Sequence, residues 1–206
     1  MQSKKFSPNG QSAFMARFEA QKMVFGPVVF QCVRYAWKRG MLEILAADEA
    51  VHLYLLDLPQ QLELAKSTLA AANLEKRAHF YPINLLDDQA LFPGGMDVIW
   101  MSQLLSCFGE AAIVSIFKRA AEALALGGYL LIMDTFWDRQ QYDIASYCLI
   151  NTSPYFTAIA SGNSKIYESE DYIRFCQHAG LVLISARDNI GFCHSLLRFT
   201  RETVDT

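Results

Sequence analysis

From Val51 onward, short apolar runs alternate with segments of helical character, and this alternation constrains the fold more than any other feature. The helices predicted between these runs are Pro59–Ala72 and Glu110–Leu126, with Gly127-Gly128 suited to ending the second. The predicted strands are Val51–Leu56, His79–Ile83, Asp97–Met101 and Gly128–Met133. Each strand is an almost continuous apolar run, which is typical of parallel strands covered on both faces. The pattern predicts an α/β fold.

The end of the chain breaks this alternation. Helices are predicted at Asp138–Asn151, Pro154–Ser161 and Ser169–His178, with Ser169 as the N-cap of the last. Two strands, Leu181–Ala186 and Ser195–Thr200, then follow each other with only a turn between them. Successive strands joined by a turn form an antiparallel hairpin. We therefore expect a sheet of about six strands that ends in an antiparallel hairpin.

The amino-terminal region predicts two aromatic-rich helices, Ser12–Phe25 and a second from Pro27 to about Arg39. Their apolar faces favour a subunit interface, although packing within one chain is an alternative. We expect residues 1–46 to form this helical segment and residues 47–206 to form the sheet domain.

Composition excludes several classes of protein. A net charge of −3 without a Lys/Arg cluster argues against nucleic-acid binding. No apolar run approaches membrane-spanning length and no targeting segment is apparent, so we expect a cytoplasmic protein without membrane contact. The five cysteines never form C-x-x-C and the four histidines lack ligand spacing, so no metal site is predicted.

The run from His52 to Ala65 looks like half of a nucleotide site. It reads as a buried strand, then Asp57, then a helix opened by Pro59. In a doubly wound sheet, an acid at this place binds ribose hydroxyls. The other half is a glycine-rich turn, yet Met41–Ala50 contains no glycine and the chain has no G-x-G.

Several segments in combination resemble the S-adenosylmethionine-dependent O-methyltransferases of the plant caffeate/hydroxyindole type and their bacterial relatives. The segments are Asp57-Leu-Pro59, Phe92–Gln103, Arg119–Leu124 with Gly127-Gly128, Leu131–Asp134, and Asn151–Lys165 followed by Ala179-Gly-Leu181. Phe25–Phe30 also resembles the dimerisation helices of that family. The resemblance implies a Rossmann-like class I methyltransferase sheet with S-adenosyl-L-methionine as the methyl donor. It further implies that the acceptor is a hydroxyl of a small molecule, which could be aromatic, and that the chain could form a homodimer.

The chain departs from the family between these segments. Family members carry a winged-helix domain, a linking helix and the glycine-rich first βα unit there. In this sequence the two matching parts join around Ala46–Ala50. We infer an internal deletion that removes the first strand and the glycine loop.

The resemblance assigns four cofactor-binding residues to the first part of the sheet. Asp57 corresponds to the acid that binds the ribose hydroxyls, with capping of the following helix as the alternative. Leu58 would line the same pocket. Asn84 takes the place of an acid that binds the adenine amine, although a turn-forming Asn is almost as good an interpretation. Leu85 would pack on the adenine face, or simply in the core.

The remaining candidates follow the later strands. Ser102 and Gln103 would reach the cofactor, or are ordinary loop residues. Ser106 stands where the plant enzymes have a histidine that deprotonates the acceptor, and serine lacks that basicity. Asp134 matches the acid that orients this histidine and is the candidate base; alternatively, it ends a strand and caps the next turn.

Two other functions compete with an active methyltransferase. A truncated, non-catalytic remnant, which folds or dimerises without cofactor, is favoured by the missing glycine loop and the missing histidine. The absence of G-x-G-x-x-G and the presence of the terminal hairpin argue against the third function, a nicotinamide-dependent oxidoreductase.

Overall fold

The computed structural model describes residues 48, 50–159, 164–191 and 193–202. The helices predicted between Ser12 and Arg39, and the predicted domain boundary after residue 46, lie outside the described residues. Along the chain, the described residues divide into two compact units on either side of the Pro93–Gly94 bond.

The first unit is a βαβ arrangement. Its elements are β1 (Leu53–Asp57), α1 (Pro59–Ala71), a 3₁₀ turn (Glu75–Arg77) and β2 (Ala78–Pro82). The two strands are parallel, with Asp57 opposite Pro82. α1 begins with Pro59, whose missing N–H costs nothing in the first turn. It ends where Asn73 adopts a positive φ of 59° and the Leu74 N–H bonds the Leu69 carbonyl at 2.9 Å.

The second unit is a four-stranded mixed sheet with helices. Its elements are β3 (Met96–Ser102), a 3₁₀ turn (Leu105–Cys107), α2 (Glu110–Ala123), β4 (Leu124–Asp134), a 3₁₀ turn (Trp137–Arg139), α3 (Asp143–Ile159), α4 (Ser169–His178), β5 (Leu181–Ile190) and β6 (His194–Arg201). The strand order is β3-β4-β6-β5. β3 and β4 are parallel, whereas β6 is antiparallel to both β4 and β5.

The predicted fold class is confirmed: the described residues form six strands and end in the antiparallel hairpin β5–β6. The described strands do not form one sheet, however, since within this part of the chain β1 and β2 pair only with each other. In the doubly wound order 3-2-1-4-5-6, the first strand pairs with the second and the fourth. Without that strand the second and fourth strands have no common neighbour, so the two described sheets are consistent with the predicted loss of the first strand.

One face of the second unit's sheet forms the core. Leu130 and Ile132 of β4, together with Leu197 and Phe199 of β6, are almost completely buried. α2 and α4 pack against each other, and Phe117 of α2 meets Tyr172 of α4 edge-on. This packing holds Tyr172 beside the carboxyl end of β4.

The predicted helix Glu110–Leu126 is wrong at its end, because the strand β4 already begins at Leu124. The pairing between β4 and β3 shifts register near its start, which marks a bulge, and Gly127 lies there with a φ of +77°. The glycine pair therefore shapes a bulge in a strand instead of ending a helix.

The two helices predicted between β4 and α4 are one continuous helix, α3, with Pro154 inside it. Tertiary hydrogen bonds hold the helix on both sides of this proline. The Ser153 hydroxyl accepts from the Ile166 N–H at 2.9 Å, and the Thr157 hydroxyl donates to the Ser164 carbonyl at 2.6 Å. The predicted break was wrong because these contacts offset the hydrogen bond that proline cannot make.

The N-cap of α4 also differs from expectation. Glu168 is the N-cap, and Ser169 is the first residue of the helix. The Asp138 carboxylate accepts the Ser169 N–H at 2.8 Å from outside the helix. A carboxylate at a helix N-terminus satisfies a free N–H and suits the helix dipole.

No helix among the described residues is both long enough and apolar enough to cross a membrane.

Candidate functional site

Asp57 is the last residue of β1 and is half-buried. Its Oδ1 accepts the Leu58 N–H at 2.7 Å, and its carbonyl accepts the Ile83 N–H at 2.9 Å. Burial raises the pKa of the Asp57 carboxyl, and the bond from Leu58 opposes this rise. Leu58 is the N-cap of α1, and its side chain is 40% exposed. The carboxylate therefore both holds the start of α1 and lies at the strand end predicted for the ribose.

Asn84 and Leu85 lie just beyond β2, which is parallel to β1, so the structure brings them to the same end of this sheet as Asp57. The Asn84 Oδ1 accepts the Leu86 N–H at 3.0 Å, and the Asn84 carbonyl accepts the Asp87 N–H at 3.0 Å. This is the turn-forming role given as the alternative for Asn84. Leu85 is half-buried.

Ser102 and Gln103 lie at the carboxyl end of β3 in the second unit. The Ser102 Oγ is buried and makes no hydrogen bond with any described residue. Gln103 has a positive φ of 48°, and its N–H donates to the Met133 carbonyl at 2.9 Å. A positive φ is costly for a residue other than glycine and often marks a functional position. Since β3 and β4 are parallel, these residues and Asp134 lie at the same end of the sheet, where both strands finish.

Asp134 ends β4 and is only 6% exposed. Its Oδ1 accepts the Thr135 N–H at 2.8 Å, and its Oδ2 accepts the Tyr172 hydroxyl at 3.2 Å. Burial raises the pKa of the Asp134 carboxyl to about 6, although both hydrogen bonds lower it. The bond from Thr135 is the turn-capping role given as the alternative for this residue.

Ser106 lies in the 3₁₀ turn Leu105–Cys107 after β3. Its carbonyl accepts the Lys165 N–H at 3.1 Å. Its neighbour Cys107 has a pKa raised to about 11, first by burial and then by the negative charge of Asp134. A thiol with so high a pKa is a poor nucleophile. Neither residue supplies the basicity of the missing histidine.

No role was predicted for His194, yet the structure places it at this end of the sheet. β6 runs antiparallel to β4 and pairs Ser195 with Asp134, so His194 lies level with the end of β4. The Gln103 side-chain amide contacts the His194 Nε2. Desolvation lowers the pKa of His194, and a hydrogen bond with the Ile190 backbone opposes that effect. From the sequence, only the predicted hairpin could have indicated that His194 lies near the end of β4.

A largely apolar groove of about 490 Å³ is lined by residues that come after β4 in the chain. Its walls come from the 3₁₀ turn, from α3 and from the segment before α4, and include Trp137, Ile150, Pro154, Lys165 and Ile166. Two hydroxyl residues, Ser153 and Thr157, also line the groove, and the Lys165 Nζ donates to the Glu110 carboxylate at 3.2 Å.

Within the part of the chain that the structure describes, no three His, Cys, Asp or Glu side chains form a group that could hold a metal ion.

No protein-family model and no curated protein matches the sequence. Solved structures do match. Mitomycin 7-O-methyltransferase MmcR has a TM-score of 0.65 at 19% identity, covering 79% of this chain and 46% of that protein. An O-methyltransferase family protein from Burkholderia thailandensis has a TM-score of 0.66 at 22% identity, covering 80% and 48%. The neocarzinostatin-biosynthesis O-methyltransferase NcsB1, in complex with S-adenosyl-L-homocysteine and 1,4-dihydroxy-2-naphthoic acid, has a TM-score of 0.60 at 20% identity, covering 79% and 46%.

The chain has the fold of these O-methyltransferases. The predicted resemblance is thus confirmed at the level of fold. The chain spans a little less than half of the length of the proteins that it matches.

Proposed function

We propose that this chain is an S-adenosylmethionine-dependent O-methyltransferase that acts on a hydroxyl of a small aromatic molecule. The observation that carries the proposal is the position of Asp57 at the carboxyl end of β1, before the helix begun by Pro59, in a fold shared with O-methyltransferases. Binding of S-adenosyl-L-homocysteine and a dihydroxynaphthoic acid by NcsB1 supports both parts of the proposal.

The first unit fits the ribose part of the cofactor. Of the two Asp57 carboxylate oxygens, Oδ1 accepts the Leu58 N–H, and an ionised Oδ2 is suited to accept a ribose hydroxyl. Asn84 and Leu85 would hold the adenine at the same sheet end, with Leu58 beside the ribose. Residues 41–93 contain no glycine, so this unit offers no glycine turn for the methionine part.

In the second unit, Ser102 and Gln103 are proposed to contact the cofactor. The bound cofactor supplies a methyl group on a sulfonium sulfur. Asp134 is the proposed proton acceptor, and its raised pKa of about 6 moves it toward neutral pH, where general bases work best. Tyr172 and Thr135 fix the orientation of its carboxylate.

The groove beside α3 is the proposed acceptor site. A flat ring packs well between the indole of Trp137 and the apolar side chains of Ile150 and Pro154. Lys165 would attract an acidic substituent on that ring by exchanging its contact with the Glu110 carboxylate for one with the substituent. The chemistry of these walls therefore favours a hydroxylated aromatic acid.

The test is a transfer assay with methyl-labelled S-adenosylmethionine at millimolar concentration and 1,4-dihydroxy-2-naphthoic acid. We expect labelled product, and Trp137→Ala should reduce its formation at least tenfold. Tyr142→Ala is the matched control, because that exposed aromatic residue does not line the groove. An absence of product with every hydroxylated aromatic acid tried would favour the non-catalytic remnant.

We also propose that the chain forms a homodimer through its amino-terminal segment, on the sequence pattern alone. Light scattering should then show a smaller mass for Phe18→Asp/Val33→Asp than for the unaltered chain; equal masses would argue against this interface. A cytoplasmic location stays a prediction.

A further inference from the structure

The polar groups of the groove beside α3 differ from those expected of a site that removes a proton. None of the described residues that line the groove is Asp, Glu, His, Cys or Tyr. These residues include the Lys165 ammonium and the hydroxyls of Ser153 and Thr157. An ammonium has no acceptor capacity, and an alcohol is not basic at neutral pH. An acceptor molecule in this groove therefore meets no general base among the described lining residues.

Hydrogen bonds to the backbone decide what the two hydroxyls offer to the groove. The Ser153 oxygen accepts the Ile166 N–H at 2.9 Å, so its own hydrogen remains for donation. The Thr157 hydroxyl donates to the carbonyls of Ser153 at 2.9 Å and Ser164 at 2.6 Å. The groove thus offers donors from Ser153 and Lys165. Such donors bind an oxygen that carries negative charge more strongly than a neutral one.

Two carboxylates of the second unit lie outside this lining. Asp134, the proposed proton acceptor, is 6% exposed, and its two oxygens accept bonds from the Thr135 N–H and the Tyr172 hydroxyl. The Glu110 carboxylate accepts a bond from the Lys165 Nζ at 3.2 Å. A general base must come within hydrogen-bond reach of the proton that it removes. An acceptor that arrives without this proton avoids the requirement.

We propose that the preferred acceptor is a hydroxyl already ionised at neutral pH, as in a hydroxyquinone, and that Lys165 binds its anion. This inference rests on the proposed function, because it takes the groove as the acceptor site. In a hydroxyquinone anion, the former hydroxyl oxygen and a carbonyl oxygen share the negative charge. Lys165 would exchange its contact with Glu110 for one with the carbonyl oxygen, which leaves the other oxygen to react. The flat ring would pack on the indole of Trp137.

The transfer step is then balanced without a base. A lone pair of the anionic oxygen forms the bond to the methyl carbon of S-adenosylmethionine, and the electron pair of the broken carbon–sulfur bond goes to the sulfur. The negative oxygen and the positive sulfonium become a neutral ether and a neutral thioether, so no proton is released. Apolar walls favour this step, because water stabilises the charged reactants more than the neutral products.

An absorbance titration with 2-hydroxy-1,4-naphthoquinone, whose anion absorbs visible light, tests the binding part at pH 7. Lys165→Met should raise its Kd at least roughly tenfold, because a charge-assisted bond is lost. Lys165→Arg keeps the charge and should stay within a few-fold of the unaltered chain. Glu110→Gln should lower the Kd, because it removes the carboxylate that competes for Lys165. The control Lys118→Met removes the same charge from an exposed position outside the groove and should change nothing.

The uncharged 2-methoxy-1,4-naphthoquinone is the matched control ligand and should bind at least roughly tenfold more weakly than the anion. Equal binding of the two quinones would overturn the inference. So would a Kd for the hydroxyquinone that is the same in the unaltered chain and in a folded Lys165→Met variant. Circular dichroism verifies the fold, and Glu110→Gln with Lys165→Arg keeps the test valid if Lys165→Met does not fold.

The pH dependence of methyl transfer separates this inference from the proposed function. With the hydroxyquinone, the rate per bound cofactor should stay constant between pH 5 and pH 8, although the pKa of Asp134 is about 6. The titratable groups that act on Asp134, Tyr172 and Cys107, have raised pKa values and stay uncharged in this range. A rate that falls below pH 6 would show that the chain must take up a proton. That result would overturn the inference and leave the proposed function standing.

The opposite outcome is equally informative. If the anion binds through Lys165 but neither the hydroxyquinone nor 1,4-dihydroxy-2-naphthoic acid gives labelled product, the proposed function fails. The inference about the acceptor fails with it, and the groove is then a binding site for an aromatic anion.

Discussion

At the residue scale, the buried pair Asp134–Tyr172 gives a pH dependence that can be measured. The pKa of Asp134 is raised from 3.8 to about 6, so the folded protein holds this proton more tightly than the unfolded chain. Folding then takes up a proton between these pH values, and the free energy of unfolding falls as the pH rises through them. The rise in pKa corresponds to roughly 3 kcal/mol.

Asp134→Asn should remove this dependence, because an amide does not titrate and can still bond the Thr135 N–H and the Tyr172 hydroxyl. The measurement is urea unfolding between pH 4 and pH 7. We expect the variant to gain stability relative to the unaltered chain as the pH rises, by up to roughly 3 kcal/mol. Tyr172→Phe removes a bond that lowers the Asp134 pKa and should extend the fall to higher pH. Parallel pH profiles for the Asn variant and the unaltered chain would contradict the assignment.

The position of Asp134 at the end of a strand was predictable, since the apolar run before it is continuous. Its partner was not. Tyr172 lies in a helix 38 residues further along the chain, and only tertiary packing brings its hydroxyl to the carboxylate. The contact between Gln103 and His194 likewise spans 91 residues. Sequence periodicity carries no information about such pairs.

At the element scale, Gly128 shows why β4 needs its glycines. A Cβ at this position would lie 2.8 Å from the Met96 carbonyl oxygen and 3.1 Å from that of Asp97. Both are backbone atoms of β3, so neither can move without disturbing the sheet. Gly128→Ala should destabilise the fold by about 1–3 kcal/mol, as measured by urea unfolding.

Gly94→Ala is the matched control for this substitution, because a Cβ there would meet no atom within 4 Å. The control should unfold within about 0.5 kcal/mol of the unaltered chain. Equal stability of both variants would mean that β3 and β4 are not packed as closely as the structure has them.

The same glycines explain an error in the predicted element boundaries. A Gly-Gly pair after a helical pattern suits both a helix end and a bulge at the start of a strand. The choice depends on the neighbouring strand β3, which approaches Gly128 too closely for a side chain. Strand positions and the terminal hairpin were predictable because apolar runs and turns are local signals.

At the scale of the whole molecule, the described strands divide into two sheets, and the loss of the first strand that the absent glycine turn predicts is consistent with this division. β1 and β2 keep their parallel pairing without it, since the register from Leu53 to Asp57 is complete. β3 and β4 keep theirs as well. The sequence did not predict separate sheets, because each apolar run is equally consistent with either arrangement.

The predicted loss of the first strand and its glycine turn has a direct consequence for cofactor affinity. Each charge-assisted hydrogen bond that the Asp57 carboxylate accepts contributes about 1.5–3 kcal/mol at best. Binding must also offset about 4–15 kcal/mol of lost translational and rotational freedom. Oδ1 of this carboxylate already accepts the Leu58 N–H, and burial makes the charged form less favourable.

We therefore expect isothermal titration of the full chain with S-adenosylmethionine to show a Kd no tighter than about millimolar. Asp57→Ala should weaken this binding further by roughly tenfold, because it removes the charge-assisted bonds to the ribose. The control Asp88→Ala, which alters an exposed acid in the same unit, should change it little. Weak binding remains compatible with the proposed transfer at millimolar cofactor. A micromolar Kd of the unaltered chain, abolished by Asp57→Ala but not by Asp88→Ala, would contradict the expected weak binding. Residues before Val51 would then have to supply what the glycine turn supplies elsewhere, because a single carboxylate cannot account for that affinity.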